Sequence, residues 1–203
     1  MKKKILWVLF ALFSMLIGLY PVQYLLNEGN SGILKDKPDW LLNSEFYKIS
    51  FYIHIVLGGL ALLIGWVQFS TKLRRNKPHV HQFIGKVYVL SALLSAGSGF
   101  YIGLFADKGP WTSVGFCSLA AMWFYTTLSA YLTARSKQFL KHRNRMIYSY
   151  SACFAAVTLR IWLPVLIMLT SNYSISYNIV AWLSWIPNLF VAYLIVKRSA
   201  PKY

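Results

Sequence analysis

Six apolar runs, each long enough to cross a bilayer as a helix, leave this chain little choice of fold. About 20 residues rising 1.5 Å apiece traverse the hydrocarbon core. The runs fall at roughly 5–26, 47–70, 83–106, 113–134, 146–170 and 178–196. Lipid offers backbone N–H and C=O groups no partner, so such runs close their hydrogen bonds internally as helices. The expected fold is all-α and polytopic, with six transmembrane helices in a single domain over residues 1–203. The first run follows Met1-Lys2-Lys3-Lys4, as a signal peptide would. It is long, however, and no small-x-small cleavage site follows, so it reads as a retained helix.

The connections alternate in charge. Lys2 to Lys4, Lys72 to Lys77, Arg135 to Arg145, and Lys197-Arg198 form one set. All five acids, Glu28, Asp36, Asp39, Glu45 and Asp107, fall in the other. The positive-inside rule assigns the basic set to the cytoplasm, which puts both termini there and closes six crossings without contradiction. The expected place is therefore the cell's inner (cytoplasmic) membrane, crossed several times.

The same pattern explains a formal charge of +16. Such an excess fits a nucleic-acid binder, but the cations sit in short clusters between apolar runs rather than on one soluble face. Only 13% of residues are charged, against roughly a quarter in a soluble domain. No nucleic-acid partner is expected, and the lipid bilayer is the first partner. Cys117 and Cys153 lie inside apolar runs and read as packing residues, not as a disulfide or redox pair.

Within lipid, helices approach one another through small residues and turn polar ones inward. The second run carries His54, Gly58, Ala61, Gly65 and Gln68 on one face. The third carries His81, Gly85, Tyr88, Ala92, Ser95 and Gly99, and the fifth His142, Ser149, Cys153, Ala156 and Arg160. The fourth offers Ser118, Tyr125 and Ser129, while the first and sixth show no comparable stripe. The expectation is a four-helix core of helices 2–5 flanked by helices 1 and 6.

Two groups of residues stand out chemically. Arg160 lies deep in the fifth run, with no acid in any run to pair with it. An arginine there costs ~2.5–3.5 kcal/mol on insertion scales unless it finds backbone carbonyls, an outer-loop acid or a ligand. Helical rise places His54 and Tyr101 at a similar depth, giving a candidate ligand-binding set of His54, Arg160 and Tyr101 for a small anionic or lipid-like molecule. At the opposite end His81 and His142 open the third and fifth runs at matching depth, near His79, Lys86, Arg143 and Arg145. Two imidazoles at one depth on neighbouring helices suit a bis-histidine haem. They equally suit a cationic cluster on lipid phosphates. With four histidines in the chain, one haem b on His81 and His142 is the most that ordinary bis-histidine ligation allows. No metal site is assigned, because no cysteine or carboxylate completes a set with the histidines.

Several spaced blocks resemble a known family. They are His54 with Gly58-Gly59 and Gln68-Phe69, then His81-Gln82-Phe83-Ile84-Gly85-Lys86-Val87-Tyr88. They continue with His142-Arg143, Met146, Ser149-Tyr150 and Ala155-Ala156-Val157-Thr158-Leu159-Arg160. Residues 50–165 are similar to a bacterial family of predicted membrane proteins described only as a domain of unknown function (DUF2306-like). Where that family's pattern resembles His-Arg-x-x-Gly-Arg, this chain has Gln82 and Lys86 in place of the two arginines, which weakens anion contact at that turn. The resemblance implies a polytopic fold and no established activity. Its histidine-bearing four-helix core is similar in outline to cytochrome b561-like and ferric-reductase-like proteins. The functions to weigh are haem or quinone binding in membrane electron transfer, and non-redox binding at His54 and Arg160. The chain has no nucleophile elbow, no H-E-x-x-H and no intramembrane carboxylate to act as base, so no catalytic residue is assigned and enzymatic activity stays open.

Overall fold

In the computed structural model, residues 2–26, 34 and 37–199 are described. Glu28 and Asp36, two of the acids that set the expected orientation, lie outside them. Secondary structure among the described residues is entirely helical. Five segments are long and apolar enough to cross a membrane: Lys4–Tyr24, Glu45–Phe69, Pro78–Gly103, Phe139–Thr170 and Tyr173–Arg198. The chain divides into two compact units, Met1–Ile102 and Gly103–Tyr203.

The first unit contains α1 (Lys2–Gly18), α2 (Pro21–Leu26), α3 (Asp39–Leu42), α4 (Glu45–Gly65), α5 (Thr71–Asn76) and α6 (Pro78–Gly103), with a 3₁₀ turn, Trp66–Phe69, extending α4. Ser44 caps α4, its side chain accepting the Tyr47 N–H at 3.4 Å. Pro78 starts α6, where its missing N–H costs nothing. Helices α4 and α6 are antiparallel, as three pairs show. The rings of Phe46 and Tyr101 lie 4.7 Å apart, His54 meets Ser95 at 2.9 Å, and the Gln68 amide oxygen lies over Gly85. The buried face of α6, Tyr88, Ser91, Ala92, Ser95, Ala96 and Gly99, contains four residues of the expected stripe, while His81 and Gly85 are half-buried.

The first span departs from expectation. Helix α1 buries Ala11, Ser14 and Gly18 in a small-residue stripe. A Cβ on Gly59 of α4 would stand 2.6 Å from the Gly18 carbonyl oxygen. Backbones this close leave no room for a side chain, so α1 packs intimately instead of merely flanking a core.

The second unit contains α7 (Pro110–Arg135), α8 (Phe139–Cys153), α9 (Ala155–Thr170), α10 (Tyr173–Leu183) and α11 (Ile186–Arg198). Helix α7 matches the crossing segments in length, 26 residues or ~39 Å, but its Ser and Thr content makes it less apolar than they are. It turns back on α8 through Lys137, whose φ of 58° is left-handed. The inward face of α7 is Thr112, Gly115, Ala120, Trp123, Thr126, Thr127 and Ala130. The expected Ser118, Tyr125 and Ser129 stripe is not the buried one, and Tyr125 is 57% exposed.

Two spans of this unit are interrupted near their midpoints. Phe139–Thr170 breaks at Phe154, between α8 and α9. The Ser151 carbonyl, which an unbroken helix would offer to the Ala155 N–H, instead accepts from Asn188 Nδ2 at 3.3 Å. A side chain inserted into the hydrogen-bond ladder is a standard cause of a kink. Tyr173–Arg198 breaks at Ser184-Trp185, before Pro187, which has no N–H to give Leu183. This span also buries Ser176, Ala181, Ser184 and Ala192. Like the first, it is a packed element and not a bare lipid-facing flank.

Candidate functional site

In the first unit, His54 is held by α6. Its Nδ1 lies 2.9 Å from the Ser95 carbonyl oxygen, and the Ser95 hydroxyl donates to the His54 carbonyl at 2.8 Å. A carbonyl can only accept, so the proton sits on Nδ1. The ring fits because α6 presents Gly99, where a Cβ would come within 2.6 Å of His54 Nδ1. Tyr101 packs on Phe46, about two turns nearer the start of α4 than His54.

Toward the other end of the same helix pair, His81 stands in the first turn of α6, its N–H bonded to the Lys77 carbonyl at 3.1 Å. Gly85 follows one turn later on the same face, beneath Gln68. Gln68 is only 7% exposed, and its Nε2 has no acceptor among the described residues. A buried amide donor left unbonded costs ~1–3 kcal/mol. Against Gly85 the fold thus keeps a donor suited to an acceptor atom it does not itself supply.

In the second unit, His142 occupies the corresponding place in α8. Its N–H bonds the Gln138 carbonyl at 2.9 Å, so each histidine is the fourth residue of its helix. His142 Nδ1 lies 2.8 Å from the carbonyl oxygen of Ala130 on α7. The constraint on His54 recurs here: the proton is fixed on Nδ1, and the lone pair of the neutral ring is on Nε2. Two turns further along, Ser149 and Thr127, both fully buried, bond side chain to side chain at 2.7 Å. The α7–α8 pair is therefore pinned at two levels, and the imidazole is one pin.

Arg160 lies on α9, past the break, and donates from Nη1 to the Ala156 carbonyl at 2.9 Å. Pro164 lacks the N–H that would bond the Arg160 carbonyl, so the helix is weakened on both sides of this residue. His54 and Tyr101 belong to the first unit and Arg160 to the second. Likewise His81 belongs to the first and His142 to the second.

Sequence reasoning missed the polar node at the two breaks. Asn188 Nδ2 reaches the Ser151 carbonyl, Thr158 Oγ1 at 3.0 Å and the Ser184 carbonyl at 3.0 Å. The Thr158 hydroxyl also donates to the Ser184 carbonyl. The signal was present in Pro187-Asn188, a helix breaker beside an amide within an apolar run.

A family model described as "Predicted membrane protein (DUF2306)" matches residues 51–196. The match spans His54, Gln68, His81, His142, Arg160 and Asn188. No curated protein and no solved structure matches the chain.

Proposed function

We propose that this chain, which belongs to the DUF2306 family of predicted membrane proteins, carries one b-type haem whose binding requires His142 and His81, and passes electrons within the membrane. The observation that carries the reading is the hydrogen bond from His142 Nδ1 to the Ala130 carbonyl. Imidazoles that ligate a metal almost always donate their second ring N–H to a carbonyl or carboxylate, which fixes the tautomer and makes the other nitrogen more basic. His142 meets that requirement at the first turn of its helix. His81 holds the equivalent helical position, and against Gly85, one turn on, Gln68 supplies a buried donor for a propionate or quinone oxygen. Lys86, Arg143 and Arg145, all near these helix starts, favour carboxylate groups there. A bound haem would supply a one-electron centre whose potential depends on these hydrogen bonds and on burial. A quinone is the electron partner that a lipid-embedded site admits.

The membrane reading extends to α7 as the sixth crossing. Its hydroxyls have partners within the fold, Thr126 on Met122 and Thr133 on Ser129 of its own backbone and Thr127 on Ser149 of α8, so these present little unmet polarity to lipid. With six crossings, the basic ends and both termini are cytoplasmic.

The test is an absorption spectrum of the purified, detergent-solubilised protein from haem-replete cells, oxidised and reduced. A Soret band and reduced-state haem bands are expected, and they should vanish in His81→Ala and His142→Ala while helicity is kept. A colourless wild-type protein would overturn the reading, as would a haem that survives both substitutions or depends on His54.

A further inference from the structure

The outward face of α7 near its basic end carries a groove that the haem reading does not use. It is an open cavity of about 350 Å³ lined by Tyr125, Leu128, Ser129, Leu132, Thr133, Ser136 and Gln138. These residues follow the helical repeat on the side of α7 opposite its buried stripe. The groove is apolar at Tyr125, Leu128 and Leu132 and polar at the turn, where Gln138 Nε2 bonds Ser136 Oγ at 3.0 Å. The Arg145 guanidinium lies over the Tyr125 ring, 5.7 Å from its centroid.

The charge around this turn is one-sided. Arg135, Lys137, Lys141, Arg143 and Arg145 fall within eleven consecutive residues. The one acid of the second unit, Asp107, lies beyond the far end of α7, a helix length of ~39 Å away. That exceeds several Debye lengths at physiological salt. The counter-charge for the cluster therefore comes from outside this unit.

We propose that the groove is a binding site for one anionic glycerophospholipid. An acyl chain lies along Tyr125, Leu128 and Leu132, and the phosphate lies at the turn among Ser136, Lys137 and Gln138. Basic pockets at the headgroup level select anionic lipids in this way, each nearby Lys or Arg adding about 1 kcal/mol, roughly a fivefold gain in affinity. The site is independent of the haem proposal, since none of its residues is an expected haem ligand.

Native mass spectrometry of the chain in neutral detergent, with phosphatidylglycerol or phosphatidylcholine added, tests the proposal. One phosphatidylglycerol should be retained at concentrations where phosphatidylcholine is lost. Lys137→Gln should weaken that retention roughly fivefold. Leu132→Trp fills the groove from an exposed position and should abolish retention with circular dichroism unchanged. Haem content should be unaffected by either substitution. Equal retention of the two lipids, or retention indifferent to Leu132→Trp, would overturn the proposal.

Discussion

The Nδ1 atom of His142 on α8 lies 2.8 Å from the carbonyl oxygen of Ala130 on α7. This bond does two things at once. It pins the basic end of the α7–α8 pair, and it fixes the imidazole tautomer that a metal requires. His142→Ala should therefore lower stability by about 1 kcal/mol, the net worth of one hydrogen bond, and also abolish haem binding. His79→Ala, at an exposed position, should do neither. Thermal unfolding and absorbance on the two variants decide it; matching behaviour would remove the special role of His142.

A second prediction concerns the contact between α1 and α4. Gly59→Ala places a methyl 2.6 Å from the Gly18 carbonyl oxygen, and backbone cannot yield as a flexible side chain would. Overpacking of this kind typically costs ~1–3 kcal/mol. Gly97→Ala adds its methyl to open space and should be neutral or gain up to ~1 kcal/mol of helix propensity. Unfolding titrations in mixed micelles read the difference, and equal effects at the two positions would contradict the close approach.

The node at Asn188 yields a third. Asn188→Leu keeps the approximate volume but removes a donor shared by the Ser151 carbonyl, Thr158 Oγ1 and the Ser184 carbonyl. Interhelical hydrogen bonds in membranes average about 0.6 kcal/mol and reach about 1.7, so a loss near the upper figure is expected. Unchanged stability would mean that the breaks at Phe154 and Ser184 do not depend on this amide.

What could be read from the sequence follows physical lines. The α6 stripe was legible because its small residues, Ala92, Ser95 and Gly99, alternate with large ones at helical spacing. The face of α7 was not. Serine and threonine in a helix can bond their own preceding turn, as Thr126 and Thr133 do, so a hydroxyl need not point inward. The break before Pro187 had a local cause in the chain. The break at Phe154 had none, because its cause is Asn188, a side chain more than thirty residues away. The stripe on α1 escaped notice because three small residues, Ala11, Ser14 and Gly18, lie among many large ones. His81 and His142 each stand fourth in their helices. The orphaned donor of Gln68 is visible only in three dimensions.

A fourth prediction is topological. Single cysteines replacing Arg74 and Lys141 should resist a membrane-impermeant thiol reagent in intact cells, whereas one at Asp107 should react. The chain's own Cys117 and Cys153 are replaced by alanine for this experiment. The segregation of acids from basic clusters motivates the expectation. Strong labelling at 74 or 141 would reverse the orientation.

The most direct measurement of the central claim is the ratio of haem to protein in the purified wild-type chain and in the His81→Ala, His142→Ala and His54→Ala variants. The account predicts one haem b per wild-type chain, none in the first two variants, and retention in the third. A wild-type ratio of zero, or loss of haem only when His54 is replaced, would contradict it.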